Sequence, residues 1–341
     1  MKILIADELG QEPLHQIRVS FPDQTVVYAK DPGVSFEQEL TIADVLIVRS
    51  ATKATKELLD KAPKLFLVAR YGNGLDGIDS EECARRGIEI INAPAASANS
   101  VAEATIGVMI ALLRKLPMQM HAMLEGKWLK LTGNELTGKT LGLVGYGRIG
   151  HLVAEKARAF GVNVITFDPF VVGNGVPGVS RVDLEKLLAQ SDVISLHPKL
   201  TEANRGMINA VLIAKMKNGA HLINFARAEL IAMEDLCDAI ESGKLAGVHI
   251  DVHPNEPKKS KADFNAGRIA QLARQGLNVS LSCHVGGSTE EAQARIADEL
   301  IPKIRSAIDA RDLRARGDTV RPPTSHAAEA PLRRAGAQKV G

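Results

Sequence analysis

Cysteine is scarce. The 341-residue chain has three, Cys83, Cys237 and Cys283, far apart and without a CxxC pair. Such a set argues against a disulfide framework and for a reducing compartment. Long apolar runs are missing too: no stretch approaches the ~20 residues that span a bilayer. The start "MKILIADELG" turns acidic at Asp7 and Glu8, as a strand does and a signal peptide does not. The expectation is a cytoplasmic protein with no membrane association. Charge of one sign is also absent, since 42 basic residues face 40 acidic ones. That balance suggests neither a nucleic-acid groove nor a surface for acidic substrates.

What is present is alternation. "KILIA", "TVVYA", "VLIVRS", "LFLVAR" and "IEIINA" are short β-branched runs separated by polar or helical segments. Continuous apolar strands alternating with helices predict a parallel sheet covered on both faces. A second series follows from Thr140: "TLGLVG", "NVITFD", "DVISLH", "HLINFA", "AGVHID" and "NVSLSCH". Between the two lies "SVAEATIGVMIALLRKL", an apolar helix with a capping box at Ser100 and Glu103, then an arm holding the only tryptophan, Trp128. In "EDLCDAIESGKL", Leu236, Ala239 and Ile240 have helical spacing and Gly243 fits the end of the helix. A last helix opens with Ser288 and Glu291 as a second capping box. It carries Ile296, Leu300, Ile304 and Ile308 on one stripe, with Pro302 as an expected kink. The fold class is therefore α/β, with two Rossmann-like domains joined by a double crossover and a cleft between them. The expected division is 1–99 plus 288–312 for a flavodoxin-like substrate domain and 100–287 for the nucleotide domain. The Ala/Arg/Pro-rich stretch 313–341 is expected to be a disordered tail.

"LGLVGYGRIG" ends a strand and opens a helix, with Gly145, Gly147 and Gly150 in GxGxxG spacing. The first glycine allows the tight turn, the second the approach of a pyrophosphate, the third close helix–strand packing. The following strand ends in Asp168, where the fingerprint wants an acid for a ribose hydroxyl. "FDPF" carries no adjacent arginine for a 2′-phosphate, so NAD is expected rather than NADP.

Ligands in open α/β sheets sit beyond the carboxyl ends of strands. Following the strands of the second series come Arg227, then Asp251 and Glu256, then His284. An arginine can bind a carboxylate and polarise a carbonyl; a histidine backed by a carboxylate can carry a proton. The set suits hydride transfer at a carbonyl. Other uses of "SCH" are weaker. Cys283–His284 has no second ligand pair, and His249 and His253, read as a strand-to-loop segment, are not expected to share a face, so no metal is expected. If His284 faces the cleft, strand alternation turns Cys283 into the packing layer and away from a nucleophilic role.

With these motifs, "ARYGNGLDGID", "INAPAASANSVAEATIG", "INFARAEL", "LCDAIESGKLAGVHIDVHPNEP" and "HVGGSTEEAQ" resemble the D-isomer-specific 2-hydroxyacid dehydrogenases, over about Leu65 to Ile308. "HPNEPKKSKADF" looks especially like the family's phosphoglycerate branch, here in a short form without a C-terminal regulatory domain. The resemblance implies Arg227 for substrate binding and polarisation, His284 as proton carrier and Glu256 as its partner. It implies cofactor contacts at Gly145, Gly147, Arg148, Ile149, Gly150, Asp168, His197, Pro198, Phe225, Ala226, Asp251, Gly286 and Gly287. Backbone N–H groups of Tyr71, Gly72, Asn73 and Gly74 would hold a substrate carboxylate. Arg70 would take a substrate phosphate or form a structural ion pair. The implied reaction is NAD-linked oxidation of a D-2-hydroxyacid, 3-phosphoglycerate first, or a glycerate, glyoxylate or lactate type of substrate. A non-catalytic NAD(H)-sensing protein on the same fold is the alternative of another class. The implied assembly is a homodimer or homotetramer through the apolar helix and the Trp128 arm. The chain departs from the family pattern at Ser97, at Ala228 in place of glycine, around His197–Pro198, and at Cys283 in place of the proline before the histidine.

Overall fold

The structure, a computed structural model, describes residues 1–170, 176–254, 256–257 and 264–315. The five early apolar runs form β1 (Lys2–Ile5), β2 (Thr25–Tyr28), β3 (Val45–Val48), β4 (Leu67–Arg70) and β5 (Glu89–Asn92), a parallel sheet in the order β2-β1-β3-β4-β5. β3 is buried along its whole length, which is why it reads as an unbroken apolar run rather than an alternating one.

The second sheet is built from β6 (Thr140–Val144), β7 (Asn163–Phe167), β8 (Ser180–Arg181), β9 (Val193–Leu196), β10 (Ala220–Asn224), β11 (Leu245–Ile250) and β12 (Val279–Leu281). Its order, β12-β11-β10-β9-β6-β7-β8, reverses direction between β6 and β9, the crevice where doubly wound sheets bind dinucleotides. β8 is two exposed residues without an apolar signature, and no sequence pattern announces it.

Two helices carry the chain between the sheets. Helix Ala98–Leu113 buries Val101, Ile106, Met109 and Leu112 against Leu141, Leu143 and Val153 of the second unit. Helix Glu290–Ala315 runs continuously through Pro302 and returns Ile296, Leu300, Ile304 and Ile308 to the core of the first sheet. Each such buried side chain contributes roughly 1.5–3 kcal/mol. Helix Met233–Glu241 buries Leu236, Ala239 and Ile240, and Gly243 follows it with φ +73°.

Both expected capping boxes are corrected. The first helix begins at Ala98, which places Ser100 inside it; the Ser100 hydroxyl instead shares a 2.9 Å hydrogen bond with Thr289, joining the two crossovers. Glu103 accepts from the Asn99 side chain. At the return helix the cap is Thr289, whose hydroxyl accepts from the Ala292 N–H at 3.1 Å, one residue beyond Ser288. The tail is also corrected at its start. Residues 313–315 are helical, and the Arg311 guanidinium 4.2 Å from the centre of the Phe66 ring anchors that last stretch. Residues 316–341 lie outside the described residues, as does all of "KKSKAD".

Candidate active site

The GxGxxG loop sits at the switch point. Gly145 has φ +92°, and a Cβ there would come within 2.6 Å of the Pro198 nitrogen, because the loop after β9 packs directly against it. A Cβ on Gly150 would meet the Gly145 carbonyl at 2.4 Å. Gly147 differs: its missing side chain would point into open space. Beside it the N–H groups of Arg148 and Ile149, at the start of helix Arg148–Ala159, have no acceptor among the described residues. That opening and its unpaired donors fit a pyrophosphate. A cleft of about 850 Å³ runs from here, past Asp168, His197, Pro198, Phe225 and Ala226, to Arg227 and to Asn73 and Gly74 of the first unit. Its donors, acid and volume fit a dinucleotide.

Asp168 is less free than the fingerprint implies. Its carboxylate accepts from the Tyr146 N–H at 2.8 Å and the Phe170 N–H at 2.9 Å, which latches the glycine loop to the end of β7. Arg181 of β8 donates to the Asp168 carbonyl, so an arginine is adjacent in space although none is adjacent in sequence. His197 is neutral: burial pulls it down to about 4. Its Nε2 faces Ser195 at 2.9 Å, and its buried Nδ1 has no partner among the described residues.

Arg227 follows β10 and lines the cleft. Its Nη1 donates to its neighbour's carbonyl, Ala226 O, at 2.7 Å, and its Nη2 to Asp76 Oδ2 at 2.6 Å. His284 lies after β12 and is bonded through Nδ1 to Glu256 Oε2 at 2.7 Å. The Glu256 hydrogen bond raises the imidazole above its ordinary value, against its burial. Burial pushes Glu256 up, but His284 and the His253 N–H outweigh it, and its carboxyl lies below the ordinary range. Arg227 is near enough to oppose protonation of His284. The His284–Glu256 pair does not itself line the cleft, whereas Arg227 does.

The approach to His284 departs from expectation. β12 ends at Leu281, so strand alternation does not extend to Cys283, which is exposed rather than packed. His284 takes φ +54°, a left-handed conformation that holds only under external constraint. The constraint is Asp251: its carbonyl accepts from the His284 N–H at 2.7 Å, and its carboxylate from the Val285 and Gly286 N–H groups at 2.9 and 3.0 Å and from the Ser282 hydroxyl. Asp251 is thus a hub of the loop, with its carboxylate engaged by protein donors. Gly286 and Gly287 are close to protein. Cβ atoms there would meet the Phe225 ring at 2.5 Å and Ser97 at 2.9 Å. His249 and His253 both reach Ser282, through its hydroxyl and carbonyl, which corrects the expectation that they face apart: residues two and four apart on an extended chain share a side. Among the described residues no cluster of three metal-capable side chains occurs.

The substrate loop is narrower than expected. The Tyr71 N–H bonds the Val48 carbonyl and the Gly72 N–H the Arg70 carbonyl, which leaves the N–H groups of Asn73 and Gly74 without acceptors among the described residues. The Tyr71 ring is buried, and its hydroxyl donates to Gln293 of the return helix. Arg70 points back into its own loop, Nε to Gly74 O at 3.0 Å and Nη1 to Tyr71 O at 2.6 Å. Burial first, then neighbouring Arg49, lowers it to about 10. It braces the loop.

Three residues escape the sequence reading: Arg49 after β3, Asp76 opposite Arg227, and Arg181. Extending the strand-end rule to the first sheet would have found Arg49. Asp76 and Arg181 carry no local signal.

A family profile, "D-isomer specific 2-hydroxyacid dehydrogenase, NAD binding domain", matches residues 106–286. The chain belongs to that family and is an NAD-dependent D-2-hydroxyacid dehydrogenase acting on CH–OH. It is 44% identical to a hydroxypyruvate reductase of Thermotoga maritima over 263 residues, 76% of this chain and 83% of the relative. It is 37% identical to a D-3-phosphoglycerate dehydrogenase of Methanocaldococcus jannaschii over 316 residues, 89% of this chain but only 57% of the relative's length. Among solved structures, a D-lactate dehydrogenase from Aquifex aeolicus complexed with NAD and lactic acid superposes with TM-score 0.78 at 31% identity. That match covers 94% of this chain and all of the other.

Proposed function

We propose that the chain reduces a three-carbon 2-keto acid of the hydroxypyruvate type to the D-2-hydroxyacid, and runs the reverse oxidation. The observation that carries this reading is a guanidinium that lines the cleft together with the glycine loop, Arg227 after β10, with a carboxylate-backed imidazole, His284–Glu256, beyond the same ends of the next two strands, β11 and β12. NAD supplies the hydride acceptor and donor. Arg227 binds the substrate carboxylate together with the Asn73 and Gly74 N–H groups and polarises the carbonyl. His284, held by Glu256 through Nδ1, gives a proton from Nε2 to the carbonyl oxygen in reduction and takes it back in oxidation. The inward turn of Arg70 favours an unphosphorylated substrate over 3-phosphoglycerate, as does the greater similarity to the hydroxypyruvate reductase. Arg49, close enough to depress Arg70, supports the phosphorylated substrate as the second reading.

The test is NADH oxidation with hydroxypyruvate, 3-phosphohydroxypyruvate, glyoxylate and pyruvate. The expected order of kcat/KM places hydroxypyruvate first. A ten-fold or larger preference for the phosphorylated acid, lost in Arg49→Ala, establishes the second reading instead. NADH binding without turnover of any of the four removes the proposal.

Two further readings accompany it. Three free thiols support a reducing, cytoplasmic setting. Among the described residues no helix is long and apolar enough to cross a membrane. Exposed Met120, Met123, Leu124 and Trp128 support a homodimer through helix Leu116–Leu124 and the arm beyond it.

A further inference from the structure

The contact that reaches Arg227 from the other side of the cleft carries a separate consequence. Asp76 belongs to the first unit, Arg227 to the second, and their carboxylate and guanidinium meet at 2.6 Å. The segment that presents Asp76 is fixed at both ends. The Arg70 guanidinium holds the Gly74 carbonyl, the Ile78 N–H bonds Leu75 O at 2.9 Å, and Gly77 and Asp79 are hydrogen-bonded to Ala54 on both sides, each at 2.9 Å. Gly74 leaves the space the pair needs: a Cβ there would lie 2.6 Å from Arg227 Nη2 and 2.8 Å from Asp76 Oδ2.

Arg227 has five N–H donors. Ala226 O engages one on Nη1 and Asp76 one on Nη2, leaving three for a ligand. With only the Ala226 contact, the long side chain would be free to rotate about its terminal bonds. With both, the plane of the guanidinium is set. The pair is partly exposed, the Asp76 side chain 65% and Arg227 30%, so it adds little to folding stability. Its effect is on orientation.

We propose that Asp76 is a positioning residue. Reaching across the inter-domain cleft, it aims the Arg227 guanidinium at the substrate carboxylate and carbonyl, and Gly74 is required as the gap through which it does so. The inference rests on the reading of Arg227 as the substrate-binding group. It excludes the opposite role, in which Asp76 merely occupies the substrate's place on Arg227.

The two roles part in the kinetics. Asp76→Ala is expected to lower kcat for keto-acid reduction about ten- to hundred-fold, the loss of one charge-assisted hydrogen bond that aligns the reacting groups. The Kd for NADH, read by fluorescence titration, and the Tm are expected to stay unchanged. Asp76→Glu, which keeps the charge, is expected to recover part of kcat. Gly74→Ala is expected to reproduce the kcat loss, and the double variant Gly74→Ala/Asp76→Ala to lose no more than either single one, since both break one pair. A lower KM at unchanged kcat in Asp76→Ala would show a competitor and overturn the proposal. So would additive losses in the double variant. Arg227→Ala is the control for the underlying reading. If it turns over normally, the role of Arg227 falls. If it is inactive while the Asp76 variants keep full kcat, only the positioning role falls.

Discussion

At the scale of single residues, the His284–Glu256 contact decides the pH dependence. The imidazole is raised above its ordinary value of about 6.5, chiefly by the Glu256 hydrogen bond. With His284 as the proton carrier proposed above, reduction is expected to need the protonated ring, so its rate is expected to hold below the raised pKa and to fall as the pH climbs through it. Oxidation needs the neutral ring and rises over the same range. Glu256→Gln removes the anionic acceptor, the largest influence, and leaves burial and Arg227, which oppose the charged ring, against Asp251, which favours it. The inflection in kcat/KM for reduction is expected to move to lower pH, and the rate at pH 7.5 to fall by about ten-fold or more. Profiles of the two proteins with the keto acid held well below its KM check this. An inflection that stays in place would mean Glu256 does not tune the histidine. Both residues were legible from sequence because each follows a strand. The left-handed backbone at His284 was not, since it depends on Asp251 gathering donors from three later residues.

At the scale of elements, the glycine loop shows how far a motif can be read. GxGxxG identified the turn, but three glycines that look equivalent in sequence answer to different constraints. A methyl at position 150 has to displace the Gly145 carbonyl; one at 147 meets nothing. Gly150→Ala is therefore expected to lower Tm and NADH affinity together. Gly147→Ala is expected to keep the Tm and lose NADH affinity by about ten-fold or more, as the methyl fills space left for phosphate. Thermal melts with fluorescence titration separate the two, and equal destabilisation by both would refute the distinction. The eleven strands with apolar runs were legible because buried parallel strands are written as such. β8 was not: it is two exposed residues that pair with Ile165 and Thr166. With β8 went Arg181, and with Arg181 the argument that no arginine stands by Asp168. The caps failed for a related reason. Ser100 and Ser288 both match the local pattern, but the Ser100 hydroxyl bonds across the crossovers to Thr289, and Thr289 rather than Ser288 caps the return helix.

At the scale of the molecule, two sheets and two crossovers leave one surface unexplained. Helix Leu116–Leu124 and the following arm expose Met120 at 67%, Met123 at 55%, Leu124 at 83% and Trp128 at 78%. Scattered apolar residues are ordinary on a surface, but four large ones within nine positions form the kind of patch that monomers rarely leave open. The inner face of the same segment is anchored, with Ala122 buried and His121 closing against Gly276, so the exposed side chains are not waiting to fold inward. A second copy of the chain covering this face is expected to give a homodimer in sedimentation at micromolar concentration. Leu124→Glu with Trp128→Glu places two charges in the patch and is expected to halve the sedimenting mass. Because folding of a dimer is coupled to its concentration, the parent protein's Tm is expected to rise with concentration, and the double variant's to be flat. Both residues lie outside the cleft, so NADH affinity is expected to survive the change. A parent protein that already sediments as a monomer, or a double variant that stays dimeric, would place the interface elsewhere.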